Sequence, residues 1–166
     1  WSHCGTTRVR DWDIVKKQRI ATKSDILEFG KEVRNSGYRA IKTNIAVLSE
    51  EPYVYMPGFF KSHGGPELNV DRKLLNSIDS WIGGLRDSVG GEIEIALDLN
   101  FNFKTEGYIK VADVLAQYDL MWLEIDSYNP DALRFIRDSI KIPITSCENL
   151  YGLRQYRPYF EKYSMD

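Results

Sequence analysis

Apolar and polar positions along this chain follow two alternating periods. Short, largely apolar runs at 93–97, 120–123 and 142–145 have the length of buried strands. Longer segments between them repeat apolar residues every three or four positions, as a helix with one buried face does. The pattern predicts helices at 24–36, with Ile26, Leu27, Phe29 and Val33 on the apolar face, and at 71–89, with Leu74, Leu75, Ile78, Ile82 and Leu85. Further helices are expected at 105–118, 131–139 and 150–163. Ser24 or Asp25 is the expected cap of the first helix and Thr105 of the third; Gly37 and the Gly90-Gly91 pair are stop signals, and Pro130 leads into 131–139. The segment 38–47 begins as a strand that ends near Asn44, and 1–4 reads as the tail of another.

Strand alternating with helix predicts an α/β protein with a parallel sheet. The exception is 48–69, where Pro52, Pro57, Pro66, Gly58, Gly64 and Gly65 are interleaved with aromatics, among them Tyr53, Tyr55, Phe59 and Phe60. Loops of this length in a compact domain carry function or stay disordered, and the aromatics argue against disorder. They form a substrate-facing lid, a subunit contact, or a loop packed on its own side chains. Five strands are visible. A closed (β/α)₈ barrel needs eight and about 250 residues. Two folds fit: an incomplete TIM barrel, or a five-stranded flavodoxin-like sheet acting as a binding module.

Composition narrows the function little. The 166 residues carry 22 basic and 24 acidic side chains, a net charge of −2, which points to neither nucleic acid nor an anionic membrane. No apolar run is long enough to span a bilayer. Two cysteines, Cys4 and Cys147, make no disulfide framework, so a reducing cytoplasm is expected. The chain starts at Trp1 rather than Met.

The chemistry lies at the strand ends. Asp98, Glu124 and Glu148 each follow a predicted strand, 26 and 24 residues apart, one strand-helix unit per step. In a parallel barrel, consecutive strand ends lie side by side on the C-terminal face, where catalytic groups collect. Three carboxylates converging there repel one another unless a hard divalent cation joins them. All-oxygen ligation favours Mg²⁺ or Mn²⁺. Isolated acids at loop starts are otherwise simply solvated.

The segments Asp98-Leu99-Asn100, Trp122-Leu123-Glu124 and Cys147-Glu148-Asn149 resemble the metal-ligand motifs of the mandelate racemase branch of the enolase superfamily. Tyr38-Arg39-Ala40-Ile41-Lys42-Thr43-Asn44 is similar to its second barrel strand, which carries a Lys-x-Lys pair, and Trp1-Ser2-His3-Cys4-Gly5 to its first. The resemblance implies that 1–166 holds strands one to five of the catalytic barrel, with the capping domain and later strands outside it. It implies Mg²⁺ held by Asp98, Glu124 and Glu148. It implies removal of the proton α to a carboxylate, with the enediolate stabilised.

One position departs from the family pattern. Asn44 stands where racemase-like members carry the second lysine, and an amide cannot accept a proton at neutral pH. One-sided proton abstraction followed by loss of hydroxide remains, the chemistry of a sugar-acid dehydratase. Racemisation or epimerisation is the alternative. Lys42 is then the electrophilic partner of the substrate carboxylate or of a metal-bound oxygen, and Asn44 a hydrogen-bonding partner of a substrate hydroxyl. The base implied by the resemblance is a His supported by an Asp, beyond Asp166. Asn100 is a site residue supporting the ligand or a turn asparagine. His3 lines the site or is a satisfied strand histidine. His63 reads as a solvated loop residue, Cys147 as a packed small residue and Asn149 as a helix cap. Of Arg8, Arg10, Lys16, Lys17 and Arg19, most read as solvated, with some placed to meet an anionic sugar acid. A small carboxylate substrate and a homo-oligomer are the partners the family implies.

Overall fold

The computed structural model describes residues 2–3, 6–57 and 69–166, the first pair by backbone alone. Among them, five parallel strands form one sheet: β1 (Ser2–His3), β2 (Ala40–Thr43), β5 (Glu94–Asn100), β6 (Trp122–Ile125) and β7 (Ile144–Thr145). β3 (Ala46–Val47) and β4 (Tyr53–Val54) pair separately as an antiparallel ladder. The helices are α1 (Thr6–Arg10), α2 (Lys23–Asn35), α3 (Arg72–Val89), α4 (Thr105–Leu115), α5 (Pro130–Ser139) and α6 (Gly152–Glu161).

The sheet order β1-β2-β5-β6-β7 is the chain order. A flavodoxin-like sheet runs 2-1-3-4-5 and reverses direction at a switch point. Here no reversal occurs, so the flavodoxin-like expectation is overturned and the sheet is an arc of a β/α barrel. Asp166 donates its N–H to the Ile144 carbonyl at 3.0 Å and accepts from the Ile144 N–H at 2.9 Å, both on the edge of β7 that faces away from β6.

Each face of the sheet has its own character. Ile41, Thr43, Ile95, Leu97, Leu99, Leu123 and Ile125 are fully buried under the helices. Alternation turns Lys42, Ala96, Asp98, Trp122 and Glu124 to the opposite, inner face. α3 buries Leu74, Ile78, Trp81, Ile82, Leu85 and Val89, a stripe at helical spacing. Asp71 caps it, accepting from Leu74 N–H at 2.7 Å, and Gly90 ends it at φ 78°.

Several local expectations are corrected. The cap of α2 is Thr22, not Ser24 or Asp25. Asp25 is instead the third helical residue of a capping box, its carboxylate accepting from the Thr22 N–H at 2.8 Å. Thr105 does not cap α4; it is the first helical residue, and Lys104 precedes it with no side-chain cap. Asn149 does not cap α6, which starts at Gly152. The irregular 48–69 stretch contains β4, which returns to β3. Tyr55 stacks on Phe103 of the β5–α4 turn with ring centroids 5.9 Å apart. His63, Phe59 and Phe60 lie outside the described residues. Arg8 is not solvated. It is buried over the Phe29 ring and donates to the Gln18 carbonyl at 2.9 Å and to Glu32 at 2.6 Å. No helix of the described residues is long and apolar enough to cross a membrane.

Candidate active site

Register brings the polar residues of the inner face together. Asp98 on β5 and Glu124 on β6 are direct register partners, and Thr145 of β7 is the next in the row. On β2, Thr43 pairs with Leu97, so Asn44 falls level with Asp98. One step towards the N-terminal ends, Lys42 pairs with Ala96 and His3 with Lys42. His3 thus occupies a register position beside the site; its side chain lies outside the described residues.

The Lys42 ammonium bridges the two acids, 3.0 Å from Asp98 Oδ2 and 2.5 Å from Glu124 Oε2. Glu124 is two strands away, roughly 9–10 Å at normal strand spacing. The lysine stem can cross that gap because its neighbour in the row, Ala96, carries only a methyl group. Burial pulls the Lys42 ammonium down, but Glu124 and Asp98 together raise it above the ordinary lysine value. Glu124 is also raised. Burial pushes its carboxyl up and Asp98 and Glu148 add repulsion, which outweighs the bond from Lys42. The two ends of one ion pair therefore move in the same direction. The geometry of one ammonium held between two carboxylates is that of an ionised pair.

An asparagine relay flanks this bridge. Asn44 donates from Nδ2 to Asn100 Oδ1 at 3.1 Å, and Asn100 donates from Nδ2 to Asp98 Oδ1 at 2.7 Å. Asn100 combines two features. It reaches the carboxylate, and it does so from a left-handed turn, φ 48°, at an irregularity in the β5–β6 register. Asn tolerates that conformation better than most residues. Tyr108 fixes the turn by donating to the Asn100 carbonyl at 2.7 Å. Behind Asn44, the buried Trp81 donates from Nε1 to the Asn44 carbonyl at 3.1 Å and to Thr43 Oγ1 at 3.2 Å. This support was not legible in the sequence, because it joins residues 37 and 38 positions apart.

Glu148 is exposed, in a turn after β7, and accepts from Asn149 Nδ2 at 3.5 Å. Cys147 is buried, with Sγ 3.8 Å from Met165 Sδ. Its φ of 78° takes the backbone out of the extended strand conformation. Among the described residues no three carboxylates stand in a ligating group. Asp98 and Glu124 are bridged by the ammonium, and Glu148 joins them only through its field. The donor set fits a hard cation nonetheless. It is all oxygen, and a positive group already sits between two of the acids.

A fourth acid was missed. Asp126 is 4% exposed, and its Oδ2 has no hydrogen-bond partner among the described residues. Burial pushes its carboxyl up to about 7, with repulsion from Glu148, Asp98 and Glu124 added and only Lys42 opposing. The available signal was its spacing: two residues past Glu124 falls on the same face if the strand runs on.

Residues 25–166 match the family described as Enolase C-terminal domain-like. Over its full length the chain is 40% identical, with a TM-score of 0.92, to a Burkholderia xenovorans strain LB400 protein provisionally named L-alanine-DL-glutamate epimerase, covering 42% of it. A structure of that name from the same strain, bound to magnesium and fumarate, matches at 41% identity and a TM-score of 0.92, with 41% of it covered. The D-xylonate dehydratase of Haloferax volcanii is 26% identical over 139 residues, which are 81% of this chain and 31% of that protein. The chain therefore spans well under half the length of these relatives. The match to the family extends over most of the chain, and the sheet carries its acids at consecutive strand ends. The chain belongs to the enolase superfamily, as part of its C-terminal barrel domain.

Proposed function

We propose that this chain supplies the cation-binding side of an active site that removes the proton α to a carboxylate, in the dehydration of a sugar acid. The observation that carries this reading is the Lys42 ammonium between Asp98 and Glu124, with an amide, Asn44, two residues on, just past the end of β2. A lysine there would give a second base; the amide can only donate and accept hydrogen bonds.

A bound Mg²⁺ or Mn²⁺ would place positive charge beside the oxygens of the enediolate, lowering the cost of the second negative charge. Asp98, Glu124 and Glu148 are the residues that would hold it. Lys42 donates to a substrate carboxylate oxygen, and Asn44 donates to a substrate hydroxyl. Asn100 keeps the Asp98 carboxylate in place. The α-proton goes to a base, the β-hydroxyl leaves as water with one proton, and the enol product becomes a 2-keto-3-deoxy acid. The magnesium and fumarate bound to the Burkholderia protein support a cation beside a small carboxylate. The Haloferax D-xylonate dehydratase supports elimination from a sugar acid.

Epimerisation is the second reading, favoured by the name of the Burkholderia protein at 40% identity. Incubating this chain together with the strands that complete its barrel, with Mg²⁺ and a panel of sugar acids in D₂O, separates the two. Elimination yields a 2-keto-3-deoxy acid, detectable as its semicarbazone. Deuterium at the α-carbon with inversion and no keto acid would replace dehydration by epimerisation. The same assay on a panel of dipeptides covers the substrate in the Burkholderia protein's name.

A further inference from the structure

Asp126 lies just past the last residue of β6, yet the ladder continues to it: its N–H donates to the Asn100 carbonyl at 3.3 Å. The backbone is therefore still paired with β5, and Asp126 faces the same side as Glu124. Its side chain is 4% exposed, and Oδ2 is buried with no donor within reach among the described residues. A buried carboxylate oxygen without a partner is costly, and a fold keeps one only where something else meets it. The nearby cation does not: the Lys42 ammonium is spent on Asp98 and Glu124. Four carboxylates thus face one ammonium. The surplus is negative, it is all oxygen, and a hard divalent cation is the ligand class that balances it.

We propose that Asp126 is a fourth carboxylate of the cation site, adding its charge and its open Oδ2 to the oxygens of Asp98, Glu124 and Glu148. This rests on the cation reading of the site given above. Glu124 and Asp126 then act as a pair from one strand, at i and i+2. An asparagine at 126 has nearly the same shape but no charge, so it separates a role in binding from a role in packing.

The test is calorimetric titration of Mn²⁺ into the metal-free protein at pH 8, for wild type, D126N and D126E, with melting curves in EDTA and in Mg²⁺. The expected result is that D126N weakens Mn²⁺ binding by about 10-fold or more, the loss typical of groups that support a metal site. D126E, which keeps the charge, recovers part of it. In EDTA, D126N melts no lower than wild type, because it removes an unpaired charge rather than a bond, and it gains less from Mg²⁺. Unchanged Mn²⁺ affinity in D126N overturns the inference while leaving the other three acids in place. A D126N variant that melts lower in EDTA while binding Mn²⁺ as tightly marks Asp126 as a packing residue and also overturns it. A wild type that binds no Mn²⁺ removes the cation reading of the whole site, and this inference with it.

Discussion

Lys42 is the residue on which the unliganded site balances. Its ammonium satisfies two carboxylates that register forces side by side. Replacing it by methionine keeps the stem and removes the charge, so Asp98 and Glu124 repel with nothing between them. Loss of one partner from a buried ion pair costs about 3–5 kcal/mol. The three side chains keep 10–16% exposure, so the expected loss for K42M is near the lower figure. Urea unfolding in EDTA measures it. Addition of Mg²⁺ is expected to restore more stability to K42M than to wild type, since the cation then takes the ammonium's place between the same oxygens. The sequence shows a lysine two positions before an asparagine and says nothing of where the ammonium goes. That depends on Ala96, which leaves room for the stem.

Within the helix layer, α2 and α3 pack against each other. The start of α2 is a capping box in which Thr22 and Asp25 bond reciprocally. T22A removes the cap and is expected to cost about 1 kcal/mol in a urea melt. Slight burial pushes the Asp25 carboxyl up, but bonds from the Thr22 hydroxyl, the Ala21 and Thr22 N–H groups and Gln18 outweigh it and leave it below the ordinary 3.8. The folded state therefore favours the ionised form. Its contribution is complete above the unfolded value and is lost as pH falls through the lower, folded one. In D25N that acid-side loss disappears, which acid titration of helicity by circular dichroism at pH 2–5 would register as a shallower slope. Where α2 crosses α3, Gly30 lies against Ser88. A Cβ at position 30 would stand 2.6 Å from the Ser88 carbonyl oxygen, which is backbone and cannot turn aside. G30A must therefore push the helices apart despite its better helix propensity, and is expected to destabilise by about 1–3 kcal/mol in the same melt.

At the scale of the whole molecule, stability is unevenly spread. β5 is the longest strand, is paired on both sides, and is buried over almost all its length. β7 has two residues, with only Asp166 among the described residues bonded to its far edge, and α6 buries Tyr159 alone while Leu153 and Phe160, and Tyr151 just before it, stay more than half exposed. Amide exchange is expected to be slowest in β5 and β6 and fastest in α6 and β7. Hydrogen-exchange mass spectrometry checks this. Uniform protection across all five strands would mean that α6 and the β7 edge are covered by more than these contacts show.

The hydrophobic periods alone locate the helices and the main strands to within a few residues, because burial on one face imposes 3.6 or 2 on any chain. They also place Asp98, Glu124 and Glu148 one unit apart, since strand-helix units of similar length put their ends in step. Hydrogen-bonded caps are less visible: Thr22 and Asp25 satisfy each other in a way that composition near a helix start leaves open. What tertiary structure decided is which groups meet. The chain order of the strands excludes the flavodoxin-like sheet, and no local pattern encodes pairing between strands separated by a helix. Register sets Asn44, Asp98 and Glu124 in one row. Trp81 reaches β2 from a helix nearly forty residues later. Asp126 stands with the acids only because pairing with β5 runs three residues past the apolar run 120–123. Sequence determines the period of each element. The contacts that make a site depend on how far those elements extend and on what lies beside them.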